Sequence, residues 1–205
     1  MAPTLEVSLS WMETGTNLCL RAIGGLHDDE FAQPSALPDW TRAHVIAHID
    51  GNARALSNLV TWAATGVETP MYASPEQRNA DIATGAALAP AQLRARFAES
   101  ADALASGLSS LSDEQWSAEV RTVQGRMIPA SLIPWLRSRE VLIHAHDLNG
   151  GVGFDEFPPA FLVALIGDIV ERRATLEGHP ALVLEAPGHS WEIPGEGSPV
   201  TVEGT

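Results

Sequence analysis

Apolar residues recur every three or four positions along most of this 205-residue chain, and this spacing is typical of helices that bury one face. The four longest stripes predict four main helices, over about residues 5–23, 40–64, 90–111 and 130–148. Asp39 is a suitable N-cap for the second helix, and Asn149-Gly150-Gly151 ends the fourth. Ser74 to Gln77 contains the capping serine and first-turn proline of another helix start. A further helix is predicted from Pro158-Pro159 to near Gly178.

The pattern changes after Gly178, where short β-favouring runs alternate with proline and glycine turns. These runs cover residues 182–184, 190–193 and 200–202. We therefore expect a mainly α fold, an antiparallel four-helix bundle with an additional helix and a short C-terminal α/β or β tail. We assign residues 1–176 to the bundle domain and residues 177–205 to the C-terminal segment.

Composition limits the partners of such a bundle. The chain has 26 acidic residues and 12 basic ones, all of them arginine, and its formal net charge of −14 disfavours nucleic acids and anionic membranes. It has no apolar run of about 18 residues and begins with no recognisable signal peptide, so we expect a cytoplasmic protein. The single cysteine, Cys19, cannot form an internal disulfide, which fits a reducing compartment. An anionic substrate would need local positive charge, from a metal ion or from inward-facing arginines.

Two helical segments carry residues that suit a metal site. Glu140 and His144 are four positions apart, which places both side chains on one face of the fourth helix. His48 borders the inward stripe of the second helix, whereas His146 points roughly 200° away from His144. Two histidines and one carboxylate with an open position form a pattern of catalytic zinc, and the same set suits iron(II) or nickel. A glutamate and a histidine at this spacing can also simply pair with each other. The spacing alone therefore leaves open whether Glu140 and His144 bind a metal or form an ion pair.

Three segments of the chain resemble the mycothiol-dependent maleylpyruvate isomerases. They are Trp40 to His48 (WTRAHVIAH), Glu68 to Asn79 (ETPMYASPEQRN), and Gln124 to His144, which includes QGR and WLRSREVLIH. Their order and spacing agree with the family along roughly residues 10–175. The family belongs to the wider DinB-like helical bundles, whose members pair a metal with a low-molecular-weight thiol.

The resemblance implies a reaction and a ligand set. Carried over by position, the metal ligands are His48, Glu140 and His144, with zinc as the expected metal and mycothiol as the thiol. His44 is not carried over, and we expect it to pack or to hydrogen-bond behind a ligand. The implied reaction converts maleylpyruvate to fumarylpyruvate, in the gentisate branch of aromatic breakdown, by thiolate addition, bond rotation and elimination. Cys19 lies on the core stripe of the first helix, so we expect the thiol to come from the cofactor.

Two arginines are candidates for binding the anionic substrate. Arg78 and Arg126 lie in irregular stretches that match the family, and a guanidinium pairs well with a carboxylate. Each could instead form a surface salt bridge, and Arg137 and Arg139 either orient Glu140 or face solvent.

Two other functions are compatible with the sequence. The first is a mycothiol S-transferase that acts on another electrophile, and the second is a metal-binding bundle without turnover. Members of the family usually have a longer C-terminal part after the strands, which helps to close the active site. We therefore expect this chain to lack part of that region, which favours the second alternative. The oligomeric state is left open by the sequence.

Overall fold

The computed structural model describes residues 3–204, so residues 1, 2 and 205 of the two predicted domains lie outside the described part. In this range the chain forms seven α-helices and five strands. The helices are α1 (Leu5–Gly25), α2 (Arg42–Thr65), α3 (Pro75–Ala86), α4 (Pro90–Ser109), α5 (Asp113–Trp116), α6 (Ile133–Asp147) and α7 (Pro159–Arg173). The strands are β1 (Glu119–Arg121), β2 (Met127–Pro129), β3 (Pro180–Ala186), β4 (His189–Ile193) and β5 (Glu196–Glu203). The predicted mainly α fold with a β tail is therefore confirmed.

The chain divides into two compact units, Thr4–Phe157 and the part from Pro158 onward. In the first unit, α1 packs on α6, and α2 packs on α3, α4 and α6. The four long helices of this bundle share a core of buried side chains: Cys19, Ile49, Leu56, Phe97, Leu104 and Leu142. None of the helices in residues 3–204 is long and apolar enough to span a membrane.

Gly15 allows α1 and α6 to approach closely. A Cβ at Gly15 would lie 2.5 Å from Cγ2 of Val141 and 2.9 Å from Cγ of Leu142, closer than packed carbon atoms come. Glu140 directly precedes Val141, so α1 supports the segment of α6 that carries this carboxylate.

The predicted start of α2 was wrong. We expected Asp39 to cap a helix beginning at Trp40, but the N-cap is Thr41, whose Oγ1 accepts a hydrogen bond from the His44 amide at 3.4 Å. The Nδ1 of His44 accepts in return from the Thr41 amide at 3.3 Å, which satisfies two amides at the helix end. Asp39 instead adopts a left-handed conformation with φ of 62°, which aspartate tolerates better than most residues. The predicted end at Gly66 is confirmed, with φ of 71°.

The segments around α3 and α6 follow the expected order. Ser74 caps α3 through a 3.1 Å hydrogen bond from the Gln77 amide. The stretch predicted as loop or extended chain before α6 is a hairpin in which β1 and β2 pair antiparallel, with Val120 opposite Ile128. Helix α6 begins at Ile133, and Pro134 lies in its first turn, where a missing amide hydrogen costs nothing.

The second unit contains α7 and a three-stranded sheet. The strand order is β4-β3-β5, with β3 antiparallel to β4 and parallel to β5, and α7 packs on β4. The compact units thus divide between Phe157 and Pro158, with α7 beside the strands in the second unit. The functional boundary proposed after residue 176 stays a prediction.

Candidate metal centre

Helices α2 and α6 bring together the three predicted ligands. His48 lies in the second turn of α2, while Glu140 and His144 are one turn apart on α6. Nε2 of His48 is 3.0 Å from Oε2 of Glu140, and Nε2 of His144 is 3.5 Å from the same oxygen. One donor atom from each of the three residues lies within 4.8 Å of the others.

These distances fit a metal ion. Bonds of about 2.0–2.1 Å in tetrahedral geometry place two donor atoms roughly 3.3 Å apart, which is close to both measured contacts. Hydrogen bonds also account for these contacts, a good one at 3.0 Å and a long, weak one at 3.5 Å. The side chain of Glu140 is 32% exposed, against 9% for His48 and 15% for His144, so a further ligand can approach past the carboxylate.

The three groups perturb one another's pKa values. Burial raises the pKa of Glu140, but hydrogen bonds from His144 and His48 outweigh it and hold that pKa well below its ordinary range. Burial lowers the pKa of His144, but hydrogen bonds to Asp147 and Glu140 outweigh it and raise the pKa to about 9. Burial lowers the pKa of His48, with Glu140 opposing. The carboxylate is thus ionised and His48 neutral at pH 7, and a metal must displace a proton from His144.

Asp147 orients His144 and was missed by the sequence analysis. Its Oδ2 is 2.9 Å from Nδ1 of His144, one turn further along α6. A carboxylate accepts the hydrogen of Nδ1, so displacement of the other ring proton leaves the lone pair of Nε2 directed at the cluster. Carboxylates behind histidine ligands commonly play this part in metal sites. The signal in the sequence is the spacing of three residues between His144 and Asp147.

Arg78 lies beside His48, and its role in substrate binding stays a prediction. Its Nη2 is 3.3 Å from Nδ1 of His48, and its Cζ is 5.8 Å from the centre of the Tyr72 ring. The edge of Trp40 also packs on His48, with ring centres 5.6 Å apart. Trp40 and Tyr72 were not singled out from the sequence as site residues, although both belong to the segments that resemble the family.

In the part of the chain that the structure describes, no hydrogen bond or salt bridge joins the side chain of Arg126 to this cluster. Arg126 is exposed in the turn between β1 and β2, where its carbonyl accepts a 2.9 Å hydrogen bond from the Thr122 amide. Val120 of this hairpin belongs to the same core cluster as Leu59, eleven residues beyond His48 on α2. At 1.5 Å per residue that separation is about 16 Å. The role of Arg126 in substrate binding stays a prediction.

Arg137 connects the two helices that carry the ligands. It is 1% exposed, and its Nη1 donates to the Ile49 carbonyl and to Oδ1 of Asn52, both at 2.8 Å. The first acceptor is the residue after His48, so this guanidinium holds α6 against α2 beside the cluster. The sequence left open whether Arg137 orients the site or faces solvent, and the structure favours the first interpretation.

The other histidines of these helices have different partners. His44 caps its own helix, as described above, which is neither a ligand position nor a contact behind one. Nδ1 of His146 is 3.0 Å from the Val152 carbonyl, and its ring packs on Phe154 with centres 4.3 Å apart. His146 therefore points away from the cluster, as its spacing from His144 predicts.

Cys19 is an unsuitable nucleophile. It is fully buried, its Sγ is 3.0 Å from the Val141 carbonyl, and burial raises the pKa of the thiol to about 12, with the charge of Arg137 opposing. Since the thiolate is the reactive form, this thiol is inert near neutral pH. The prediction that Cys19 is structural is confirmed.

A Cys19→Ser variant should therefore keep the thiol-dependent turnover of the wild-type protein, because the serine hydroxyl can also donate to Val141. In the folded wild-type protein, a chromogenic disulfide reagent should not label Cys19, and labelling should follow unfolding in guanidinium. Fast labelling of the folded protein, together with lost turnover in the variant, would instead identify Cys19 as the reacting thiol.

Comparisons with known proteins agree with this geometry. The family model of the mycothiol maleylpyruvate isomerase N-terminal domain matches residues 13–149. A crystal structure of the mycothiol-dependent maleylpyruvate isomerase is 40% identical over 100% of this chain and 85% of that chain, with a TM-score of 0.95. A crystal structure of a histidine-to-alanine mutant of that isomerase gives 39% identity, the same coverage and a TM-score of 0.95.

A more distant structure shares the fold. YfiT from Bacillus subtilis, described as a probable metal-dependent hydrolase with an unusual four-helix bundle topology, is 15% identical, with a TM-score of 0.55. The match covers 71% of this chain and 82% of that chain. This likeness, with the seven helices and the C-terminal sheet in residues 3–204, confirms the predicted helical-bundle fold. A comparison with curated proteins found no significant match.

Proposed function

The chain belongs to the mycothiol maleylpyruvate isomerase family, and we propose that it converts maleylpyruvate to fumarylpyruvate in a reaction that requires mycothiol and a divalent metal. The observation that carries the proposal is the convergence of His48, Glu140 and His144 within 4.8 Å. This cluster lies inside the segment matched by the family model, on a fold shared with an isomerase at 40% identity.

The ligand set suits a weakly positive centre. His48 and His144 offer neutral nitrogens and Glu140 offers one negative charge, so a divalent ion held by them would keep a net charge of +1. When bound, such an ion supplies positive charge that lowers the pKa of a thiol beside it. Zinc is our preferred metal because two histidines, one carboxylate and an open position suit catalytic zinc, and iron(II) or nickel would use the same residues.

The chemistry needs the substrate's C=C bond to become single for a moment. Addition of a thiolate forms a C–S bond and moves the alkene electron pair onto the conjugated ketone oxygen. Rotation about the C–C bond follows, and the same electron pair then re-forms the alkene as the C–S bond breaks. Cys19 cannot supply the sulfur, so an external thiol is required. We assign Arg78 to a substrate carboxylate because its guanidinium lies at the cluster.

The cellular setting belongs to the same proposal. Isomerisation of maleylpyruvate places the protein in the gentisate branch of aromatic breakdown. A reduced thiol cofactor and a chain with one cysteine both fit the cytoplasm. Residues 1–176 would form the catalytic bundle, and the segment matched by the family model lies within them.

The proposal is tested by measuring the metal content of the purified protein and then its conversion of maleylpyruvate with and without mycothiol. We expect about one divalent ion per chain, and formation of fumarylpyruvate only when both metal and mycothiol are present. Thiol conjugates that accumulate with other electrophiles, without isomerisation, would favour the S-transferase. Bound metal without affinity for mycothiol would favour the bundle without turnover.

A further inference from the structure

The two histidines of the cluster have opposite partners at Nδ1. Both direct Nε2 at Glu140. Behind His144, Nδ1 faces the carboxylate of Asp147, an acceptor of hydrogen bonds. Behind His48, Nδ1 faces Nη2 of Arg78, and a guanidinium only donates. Nδ1 of His144 is therefore placed to donate a hydrogen bond, whereas Nδ1 of His48 is placed to accept one.

The contact with Arg78 selects one tautomer of His48. A hydrogen bond from Nη2 requires a lone pair on Nδ1, so the ring hydrogen of the neutral histidine is on Nε2. That hydrogen fits the 3.0 Å contact with Oε2 of Glu140. This arrangement satisfies both nitrogens of His48 but leaves no lone pair on Nε2 for a metal.

Metal binding at Nε2 requires the other tautomer. The ring hydrogen then lies on Nδ1, where it faces the hydrogens of the guanidinium, and the hydrogen bond between Arg78 and His48 is lost. Arg78 has an alternative neighbour in Oδ1 of Asn79, 3.3 Å from its Nη1. Within residues 3–204 Arg78 forms no salt bridge, although acidic residues outnumber basic ones by 26 to 12. A guanidinium displaced from His48 is thus available to an incoming anion.

We propose that metal binding to His48 releases Arg78 to bind a carboxylate beside the metal, so that metal and anionic ligand bind with positive cooperativity. The inference rests on the proposed function for the three metal ligands and the anionic substrate. It gives Arg78 two successive partners, first His48 and then the ligand carboxylate. By linkage, the anion must tighten metal binding by the same factor as the metal tightens anion binding.

The first test is the effect of Arg78 on zinc affinity, measured in competition with a chromogenic chelator at fixed pH. Residues behind a ligand usually support the metal, and their loss costs about 10–100-fold in affinity. Asp147→Ala should behave in this way. Arg78→Gln should do the opposite and tighten zinc binding about 10-fold, because its amide oxygen can accept the hydrogen of Nδ1. Arg78→Lys, which keeps a charged group that only donates, should resemble the wild type.

The second test measures zinc affinity with and without maleate, a dicarboxylate used here without any thiol. We expect maleate to tighten zinc binding about 10-fold in the wild type, within the usual range of coupling between two sites. This effect should be lost in Arg78→Gln and kept in Arg121→Gln, a control arginine on β1 that forms a salt bridge with Glu68 at 3.5 Å.

The outcomes separate this inference from the proposed function. Weaker or unchanged zinc affinity in Arg78→Gln, or a maleate effect that survives in that variant, would overturn the inference while isomerase activity of the wild type stands. A wild-type protein that binds no zinc would overturn both. Circular dichroism of each variant establishes that a changed affinity does not reflect unfolding.

Discussion

A His48→Ala protein is expected to lose its bound metal and at least about 10³-fold in isomerase turnover. Of the three proposed ligands only His48 lies on α2, and without it two donors on one helix, Glu140 and His144, remain. A metal ion contributes several kcal/mol to charge stabilisation in such reactions, and about 4 kcal/mol corresponds to 10³-fold in rate. Metal content by mass spectrometry and turnover with saturating mycothiol check both parts.

His44→Ala is the matched control, since it removes a histidine one turn earlier on the same helix. His44 closes the helix cap with Thr41, so its loss should cost up to about 1 kcal/mol of stability. Metal content and turnover should stay near those of the wild type. If His48→Ala retained its metal while His44→Ala lost it, the ligand set would have to be redrawn around the start of α2.

The candidate ligands could be picked out from the sequence because their arrangement on each helix is local. The spacing of Glu140 and His144 places them on one face whatever the rest of the chain does. The apolar stripe on α2 does not indicate which helix His48 faces, so the pairing of His48 with α6 could not be predicted from that pattern. The resemblance to the family supplied that pairing, and the structure then placed the three side chains together.

The contacts around the ligands were less predictable because they depend on the paths of distant segments. Arg78 reaches His48 only because residues 66–74 return along α2, where the Asn58 side chain donates to the Pro70 carbonyl at 3.1 Å. No periodic pattern encodes that path. The same sequence argument was made for Arg126 as for Arg78, but Arg126 is exposed in the turn of the hairpin, with no hydrogen bond or salt bridge to the cluster in residues 3–204. The contact of Asp147 with His144 is local, and the spacing of three residues on α6 makes it detectable from the sequence.

Arg137→Met is expected to destabilise the protein by about 3 kcal/mol and to weaken metal binding about 10-fold. The methionine fills much of the same space, but the Oδ1 of Asn52 loses its donor while Asn52 is only 7% exposed. A buried polar atom without a partner costs about 1–3 kcal/mol, and a lost hydrogen bond from a charged group about 1.5–3 kcal/mol. Affinity falls because the link between α6 and the backbone beside His48 is gone. Guanidinium unfolding and zinc competition measure the two effects.

Replacing Asn52 together with Arg137 separates the effect on stability from the effect on the position of His48. Burial lowers the pKa of Arg137, which shows that the charged form is costly to hold inside the bundle. Arg137→Met combined with Asn52→Leu should therefore recover most of the lost stability, as apolar replacements of buried polar pairs often do. Zinc affinity should stay about 10-fold below that of the wild type, because packing restores the core without restoring the link at Ile49. If affinity returned together with stability, helix packing alone would position His48 against Glu140, and Arg137 would be a structural residue.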